Sequence, residues 1–390
     1  MKFTFGKRKV QPVVTNPGEM SDAQEKAAYV VASQWQLMWW KFRKHKIAMI
    51  AMPVIIILYL TAILCQFISP SLPLHRYTNY KNSPPSTIRF VDPETGFSLR
   101  PFIYDMTMGV DPDTFRRTFV EDESTKHYVN FFVRGQSYKF LGLFESNVHL
   151  FGLSEDVTGD YNVFLMGTDS LGRDLFSRIL YGSRISLSFG IVSIIFTFFI
   201  GLLLGGISGY LGGFADTVIQ RTIDLLLCMP TIPLWMALAA ALPRTWSPVR
   251  IYLGMVLIMS LIGWTGLARV VRGKILSLRE EDFTTAARLS GASHMRIIVK
   301  HLIPSFMSFI IVSMTLSIPG SILGETSLSF LGLGLQPPVV SWGVLLQDAQ
   351  TLETLAHHPW LLWPAAWIII TVLMFNFMGD GLRDAADPYK

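Results

Sequence analysis

The chain has 390 residues, 51% of them apolar and only 16% charged, with a net charge of +5 at pH 7 and a mean hydropathy of +0.40. Soluble domains average about 25% charged residues, so this composition excludes a set of globular domains and describes an integral membrane protein. The basic residues lie beside apolar runs rather than in a stripe with base-stacking geometry, which excludes nucleic acid as the partner and points to membrane lipid.

Residues 1–46 carry Lys2, Lys7, Arg8, Lys9, Lys26, Lys41, Arg43, Lys44 and Lys46 against Glu19, Asp22 and Glu25. This excess places the N-terminal segment in the cytoplasm. No apolar core lies near Met1, so no signal peptide is expected. Within SQWQLMWWKFRKHK, Trp35, Met38, Trp39 and Phe42 share a helical face opposite Lys41, Lys44 and Lys46, the pattern of a helix lying in the membrane interface. The first predicted span follows, over 47–68, with a charge-free run from Ile47 to Phe67.

The next segment, 69–165, must then lie outside the cytoplasm. Pro70 to Leu165 balances nine Lys or Arg against twelve Asp or Glu and holds seventeen aromatic residues. STIRFV and FSLRPFIY flank the turn candidate DPETG, and RRTFV and HYVNFFVRG flank EDEST, so two hairpins and a small, mostly β extracytoplasmic domain are expected. Burial statistics assign most of the aromatic residues to its core. After it comes MGTDSLGRDLFSRILYGSR, where Asp169, Arg173, Asp174, Arg178 and Arg184 read as a structural ion-pair network just outside the second span. Asp174 and Arg178, four apart, would share a helical face.

Five further runs have membrane-spanning character: Ile185 to Gly205, Leu225 to Leu242, Ile251 to Ala268, Leu302 to Gly324 and Trp360 to Gly379. The stretch Thr326 to Gln347 is apolar but holds Gly332, Gly334, Pro337, Pro338 and Gly343, so it reads as non-spanning backbone sheltered by protein. The expected fold is therefore an all-α membrane protein of six transmembrane helices with an inserted β-rich domain. An even span count returns the C-terminus to the cytoplasm. The spans hold no acid or base, which disfavours a proton- or sodium-coupled carrier. No Lys is followed by Ser or Thr, which excludes a P-loop for ATP, and neither H-E-x-x-H nor G-x-S-x-G occurs, so no catalytic residue, metal or cofactor is assigned to this chain. His357 and His358 before Pro359 read as a loop end. Cys65 and Cys228, both in predicted spans, offer no disulfide framework.

Between the fourth and fifth spans, the cytoplasmic loop 273–304 reads as a helix from Glu280 to Ser290, a stop at Gly291 and a second helix from Ser293 to His301 leading to Pro304. Ala286 and Ala287 are small enough for another protein surface to approach the backbone.

Here the sequence resembles the membrane subunits of binding-protein-dependent ABC importers, whose cytoplasmic loop reads E-A-A, three residues, G, nine residues, I-x-L-P. Ala286, Ala287, Gly291 and Pro304 match in register, while Thr285 stands in place of the acid, His301 of the Ile and Ile303 of the Leu. Glu280, Glu281 and Asp282 lie about one turn earlier. GTDSLGRDLFSRILYGSRISL, GYLGGFADTVIQRTIDLLLCMP, GETSLSFLGLGLQPPVVSWG and GDGLRDAADP are similar to the second permease, the C-type subunit, of the dipeptide and oligopeptide group, over Met166 to Pro388. The resemblance implies an importer permease domain over 166–390 in a bacterial or archaeal cell membrane, the inner membrane if the cell has two. Its implied partners are a homologous second permease, two cytoplasmic ATPase subunits that hold ATP and Mg, and an extracytoplasmic substrate-binding protein. It also implies that Glu281, Thr285, Ala286, Ala287, Gly291, His301 and Pro304 couple this chain to the ATPases. The expected cargo is a short peptide, with an oligosaccharide as the alternative. A membrane scaffold or receptor subunit that transports nothing is the competing class.

Overall fold

The structure, a computed structural model, describes residues 34–92, 96–110, 112, 115, 117–153, 161–243 and 245–386. The basic residues 1–33, the centre of the DPETG turn and the tail 387–390 lie outside the described residues.

Helix α1 (Gln34–Lys44) divides the face expected to be interfacial. Met38 and Phe42 are buried, while Trp35 and Trp39 stay exposed. Phe42 packs with Ala48 and Ala385, so the inner half of that face is claimed by protein. Helix α2 (Lys46–Ile63) is the first apolar helix, followed by the single turn α3 (Cys65–Ile68).

A four-stranded antiparallel sheet follows in the order β1-β2-β3-β4: β1 (Arg89–Asp92), β2 (Gly96–Val110), β3 (Arg117–Phe140) and β4 (Phe144–Leu153). The first expected hairpin is present, with Asp92 opposite Gly96. The second is not. EDEST lies inside the continuous strand β3, which pairs with β2 through its first half and with β4 through its second. Its polar residues form a bulge instead of a turn, because Asp105 faces Asp122 while Tyr104 faces Lys126. There Asp122 accepts hydrogen bonds from the Ser124 amide at 3.0 Å and hydroxyl at 2.6 Å, a local bond that competes with the ladder. Seven of the seventeen aromatic residues depart from expectation, since Phe90, Phe97, Phe115, Tyr128, Phe131, Phe132 and Phe144 are exposed. A single sheet has only one face to bury, and its core gathers Tyr77, Ile103, Val129, Tyr161 and Phe164.

The helical bundle begins at α4 (Leu175–Leu211). At about 1.5 Å per residue this helix is near 56 Å long and overruns a hydrocarbon core of about 30 Å. The segment LFSRILYGSR, expected outside the second span, forms its first turns. The third expected span does not cross as one helix. It is split into α5 (Gly213–Leu227) and α6 (Thr231–Ala240), bent by 89°. Pro230 at the break has no amide hydrogen and restricts Met229 before it, so neither helix can run through. Helix α7 (Pro248–Leu278) follows, and the chain returns through α8 (Asp282–Leu289), α9 (His294–Ile297), a π turn (Ile298–Leu302) and α10 (Ile303–Ser305) into α11 (Met307–Phe330). The second loop helix is thus one α turn followed by a wider one. Pro304, which cannot donate to the carbonyl four residues back, sits just past the widened stretch.

Helices α12 (Trp342–Gln347) and α13 (Leu352–His357) lie between α11 and α14 (Trp363–Ala386), with a 3-10 turn at Pro359–Leu362. The described residues thus hold five helices long and apolar enough to cross a membrane, or six if the bent pair is one span. Close approach of α4 to α7 is set by glycine. A Cβ on Gly205 would stand 2.6 Å from the Ala268 carbonyl oxygen, and one on Gly209 would stand 2.8 Å from that of Arg272.

Candidate functional site

Helix α8 is shorter by two residues at its start than the sequence suggests, because Glu281 stays extended and its carbonyl accepts the Thr284 and Thr285 amides at 3.0 and 3.1 Å. Thr284 is fully buried and its hydroxyl donates to the Leu278 carbonyl at 2.9 Å, which fixes the start of α8 to the end of α7. At the other end Gly291 takes φ +77°, and the Ala292 amide reaches back to the Ala287 carbonyl at 3.1 Å. This is the left-handed stop that a side chain would strain.

The two alanines do not share a role. Ala286 is exposed, but Ala287 is half-buried and packs with Ala292 on the cluster of Tyr210, Ile275, Ile297 and Ile298. An outward face for both was the expectation. Helical periodicity instead turns Ala287 toward the α4–α7 pair and leaves Phe283 and Leu289, 42% and 84% exposed, beside Ala286 and Thr285. Sequence reading passed over these two large apolar residues, although apolar groups six residues apart, about 1.7 turns, on a loop helix are a legible signal. Arg288 lies over the Tyr210 ring at 5.9 Å, adding a cation–π contact on the inner side. His301 and Pro304 are exposed on the return toward α11, beyond α8 itself.

A groove of about 500 Å³ runs beside α4, α6, α7 and α11. Ser193, Thr197, Ser313, Ser317 and Ser321 supply hydroxyls, while Trp235, Met259 and Phe309 supply soft apolar surface. Among the described residues its lining holds no charged side chain, and among them no group of three or more His, Cys, Asp or Glu is placed to hold a metal ion. Such a wall can offer single hydrogen bonds and dispersion contact, and no fixed charge to hold an ion.

At the end of the bundle remote from α8 stand two polar knots, the first being the expected ion-pair network, built on Asp169 and without an Asp174–Arg178 pair. Asp169, fully buried, accepts from Arg173 Nε at 2.7 Å and also from Arg178, and Asp348 stands 3.9 and 3.7 Å from the same two guanidiniums. Burial pushes the Asp348 carboxyl above its usual range, with the Arg178 charge opposing. Asp174 caps α4 instead, accepting from the Ser177 amide at 2.9 Å. Burial lifts its pKa from 3.8 to about 6. The second knot overturns the expectation of spans free of acids. Glu325 is fully buried within α11 and accepts from the Ser329 and Ser341 hydroxyls, both at 2.8 Å, while the Trp342 amide donates to Ser186 on α4 at 3.1 Å. The non-spanning stretch 331–341 is held by these bonds. It begins later than the expected Thr326, since α11 carries on through Thr326 to Phe330.

Two family models match the chain: binding-protein-dependent transport system inner membrane component over 201–389, and the N-terminal TM domain of oligopeptide transport permease C over 33–85. The oligopeptide transport system permease protein OppC of Bacillus subtilis is 40% identical over 223 residues, 57% of this chain and 70% of that one. The dipeptide transport system permease protein DppC of the same organism is 42% identical over 224 residues, 57% of this chain and 68% of that one. The glutathione transport system permease protein GsiD of Pectobacterium atrosepticum is 41% identical over 230 residues, 59% and 74% of the two chains. Among solved structures, the inward-facing MetNI methionine ABC transporter aligns with a TM-score of 0.41 at 19% identity over 53% of this chain and 95% of that one, too low a score to add to the assignment. On its sequence relatives, the chain belongs to the binding-protein-dependent transport system inner membrane components, a family of transporter permease subunits and not of enzymes.

Proposed function

We propose that this chain is one of two homologous permeases that together enclose the groove between α4, α7 and α11, and that the cargo passing through it is a short peptide delivered by an extracytoplasmic binding protein. The outward face of α8 carries the reading. Phe283, Ala286 and Leu289 form an apolar patch on a helix whose other side is fixed to α7 by Thr284 and to α4 through Tyr210, which is what a lever moved by another protein requires. Two cytoplasmic ATPase subunits, holding ATP and Mg, seat on this patch, with Glu281, Thr285 and Gly291 setting its angle and His301 and Pro304 passing the motion into α11. No cofactor is needed in this chain. The N-terminal segment and α8 then face the cytoplasm, and the sheet forms an extracytoplasmic domain of the inserted segment, in a bacterial or archaeal cell membrane.

The peptide reading is supported by the names of the relatives and by the lining of the groove, where hydroxyls and aromatic faces suit a varied backbone-bearing cargo and leave discrimination to the binding protein. The test is uptake of a labelled short peptide into proteoliposomes holding the complete transporter, with binding protein outside and ATP supplied to the ATPases. Wild-type protein should accumulate peptide. A Leu289→Asp chain should still assemble with the second permease but lose at least about tenfold in ATPase affinity, since a buried unpaired carboxylate at an interface costs more than 1.4 kcal/mol. Full uptake by that variant would sink the lever, and absence of peptide uptake by an ATP-hydrolysing wild-type complex would sink the cargo.

A further inference from the structure

The β3–β4 turn places its apolar residues where water-facing turns carry polar ones. Leu141, Leu143 and Phe144 are 49%, 74% and 68% exposed. Leu141 also takes φ +49°, in the left-handed region where a branched side chain is disfavoured and where Asn or Gly is the usual choice. The two-residue turn accounts for the backbone, since Gly142 also takes φ +77° and the Leu143 amide donates to the Phe140 carbonyl at 2.9 Å, but the choice of an exposed leucine there needs a further explanation.

The position of the tip supplies one. Gln66, on the turn just past α2, donates to the Lys139 carbonyl at 2.9 Å and accepts from the Leu141 amide at 2.9 Å. Gln136 and His149 extend this attachment, since the Leu72 amide donates to Gln136 at 3.0 Å and the buried His149 ring meets the Ser69 carbonyl at 2.5 Å. The hairpin tip is therefore fixed three residues beyond the last residue of α2, Ile63, beside the end of the charge-free run that closes at Phe67. Ile57, Leu60 and Ile63 of α2 are 57%, 48% and 46% exposed, so the tip continues an apolar surface that this chain leaves uncovered. The groove that a second permease would complete is lined by α4, α6, α7 and α11 and by no residue of α2, so the tip does not lie on that wall.

We infer that the β3–β4 hairpin tip, through Leu141, Leu143 and Phe144, dips into the adjacent lipid leaflet and anchors the sheet to the membrane surface. Burial of this kind reaches about 5–10 Å below the headgroups and scales with apolar area. The inference requires only that α2 spans the bilayer and is independent of the cargo and of the ATPase contact.

The test uses the complete transporter in nanodiscs of phosphatidylcholine brominated high on the acyl chains. An environment-sensitive dye is attached at Leu143→Cys in a Cys65→Ala, Cys228→Ser background, with Val110→Cys, another exposed apolar position at the opposite end of the β2–β3 ladder, as the control. Bromolipid should quench the Leu143 dye about threefold more than the Val110 dye, with a blue-shifted emission, as expected for a group below the headgroups. A dye at Leu141→Cys should behave alike. Equal quenching at Leu143 and Val110 would overturn the anchor, as would absence of lipid quenching together with photo-crosslinking of the tip to the second permease.

Discussion

The two ends of the helical bundle are held by different means. Around Asp169 and Glu325, side chains from α4, α11, α12 and the loops between them meet in buried ionic and hydroxyl networks. At α8 the fastening is made of backbone and small side chains: the Glu281 carbonyl, the Thr284 hydroxyl, the turn at Gly291 and the inward packing of Ala287. One end buries its charged groups within the chain, whereas the other leaves Leu289 and Phe283 uncovered. The proposed coupling to a partner would use this asymmetry, a buried frame at one end and a lever at the other.

The sharpest way to break that comparison is to remove Glu325. Glu325→Ala leaves the Ser329 and Ser341 hydroxyls without their acceptor in a buried site and frees the stretch that carries Trp342, at a cost of about 3–5 kcal/mol. The detergent-solubilised complex should melt well below wild type. Glu325→Gln keeps a carbonyl acceptor and should recover most of the loss. If Ala melted like wild type, the frame would not depend on this knot.

Gly291→Val tests the lever. A β-branched residue at φ +77° adds about 1–3 kcal/mol of local strain, and no neighbouring atom lies within 4 Å to create a clash, so the effect should be confined to the angle of α8. Peptide uptake and its coupling to ATP hydrolysis should fall while the melting temperature of the bundle changes little. Uptake at the wild-type rate would show that α8 transmits motion without a fixed turn. A large drop in melting temperature would show that the lever and the frame are one unit.

The same contrast explains what could be read in the sequence. The loop was legible because its parts are close in the chain: a glycine stop five residues after Ala286, a proline thirteen further on, and a helix between two apolar runs. The sharing of Arg173 and Arg178 between Asp169 and Asp348 was not, since it joins residues far apart in sequence, and the local spacing of Asp174 and Arg178 suggested a nearer partner that the cap geometry overrides. Glu325 was placed at the end of a span, because a carboxylate argues for a helix end when its three serine neighbours cannot be seen. The bent pair at Pro230 and the bulge in β3 failed for a related reason. Proline in an apolar run and a polar patch in a strand each permit continuation or interruption, and tertiary pairing decides. Gly201, Gly205 and Gly209, spaced by four, carried a legible signal of close helix approach that was passed over. All four strands fall in 86–200, which neither family model covers, so only strand patterning could speak for them.

Asp174 offers the smallest and most selective test of the frame. One of its carboxylate oxygens caps α4 through the Ser177 amide, while the other is buried with no hydrogen-bond partner among the described residues. Burial first, and the nearby Asp169 charge after it, raise the pKa from 3.8 to about 6. A folded-state pKa above the unfolded one means that the folded chain binds the proton more tightly. The favourable contribution of Asp174 is then fully present below about pH 4 and is lost as the pH rises through about 6. Asp174→Asn keeps a capping oxygen and removes the charge, so its melting temperature relative to wild type should be near zero difference at pH 4 and higher by a few degrees at pH 8, with the change centred between the two pKa values. Asp174→Ala loses the cap at every pH and should sit about 1 kcal/mol below Asn throughout. Thermal unfolding of the three complexes across this range decides the matter. A wild-type and Asn pair that ran parallel from pH 4 to 8 would show that the carboxylate is solvated or paired in the folded protein, and the frame would then tolerate a charge at the start of α4 as easily as the lever end tolerates one at Asp282.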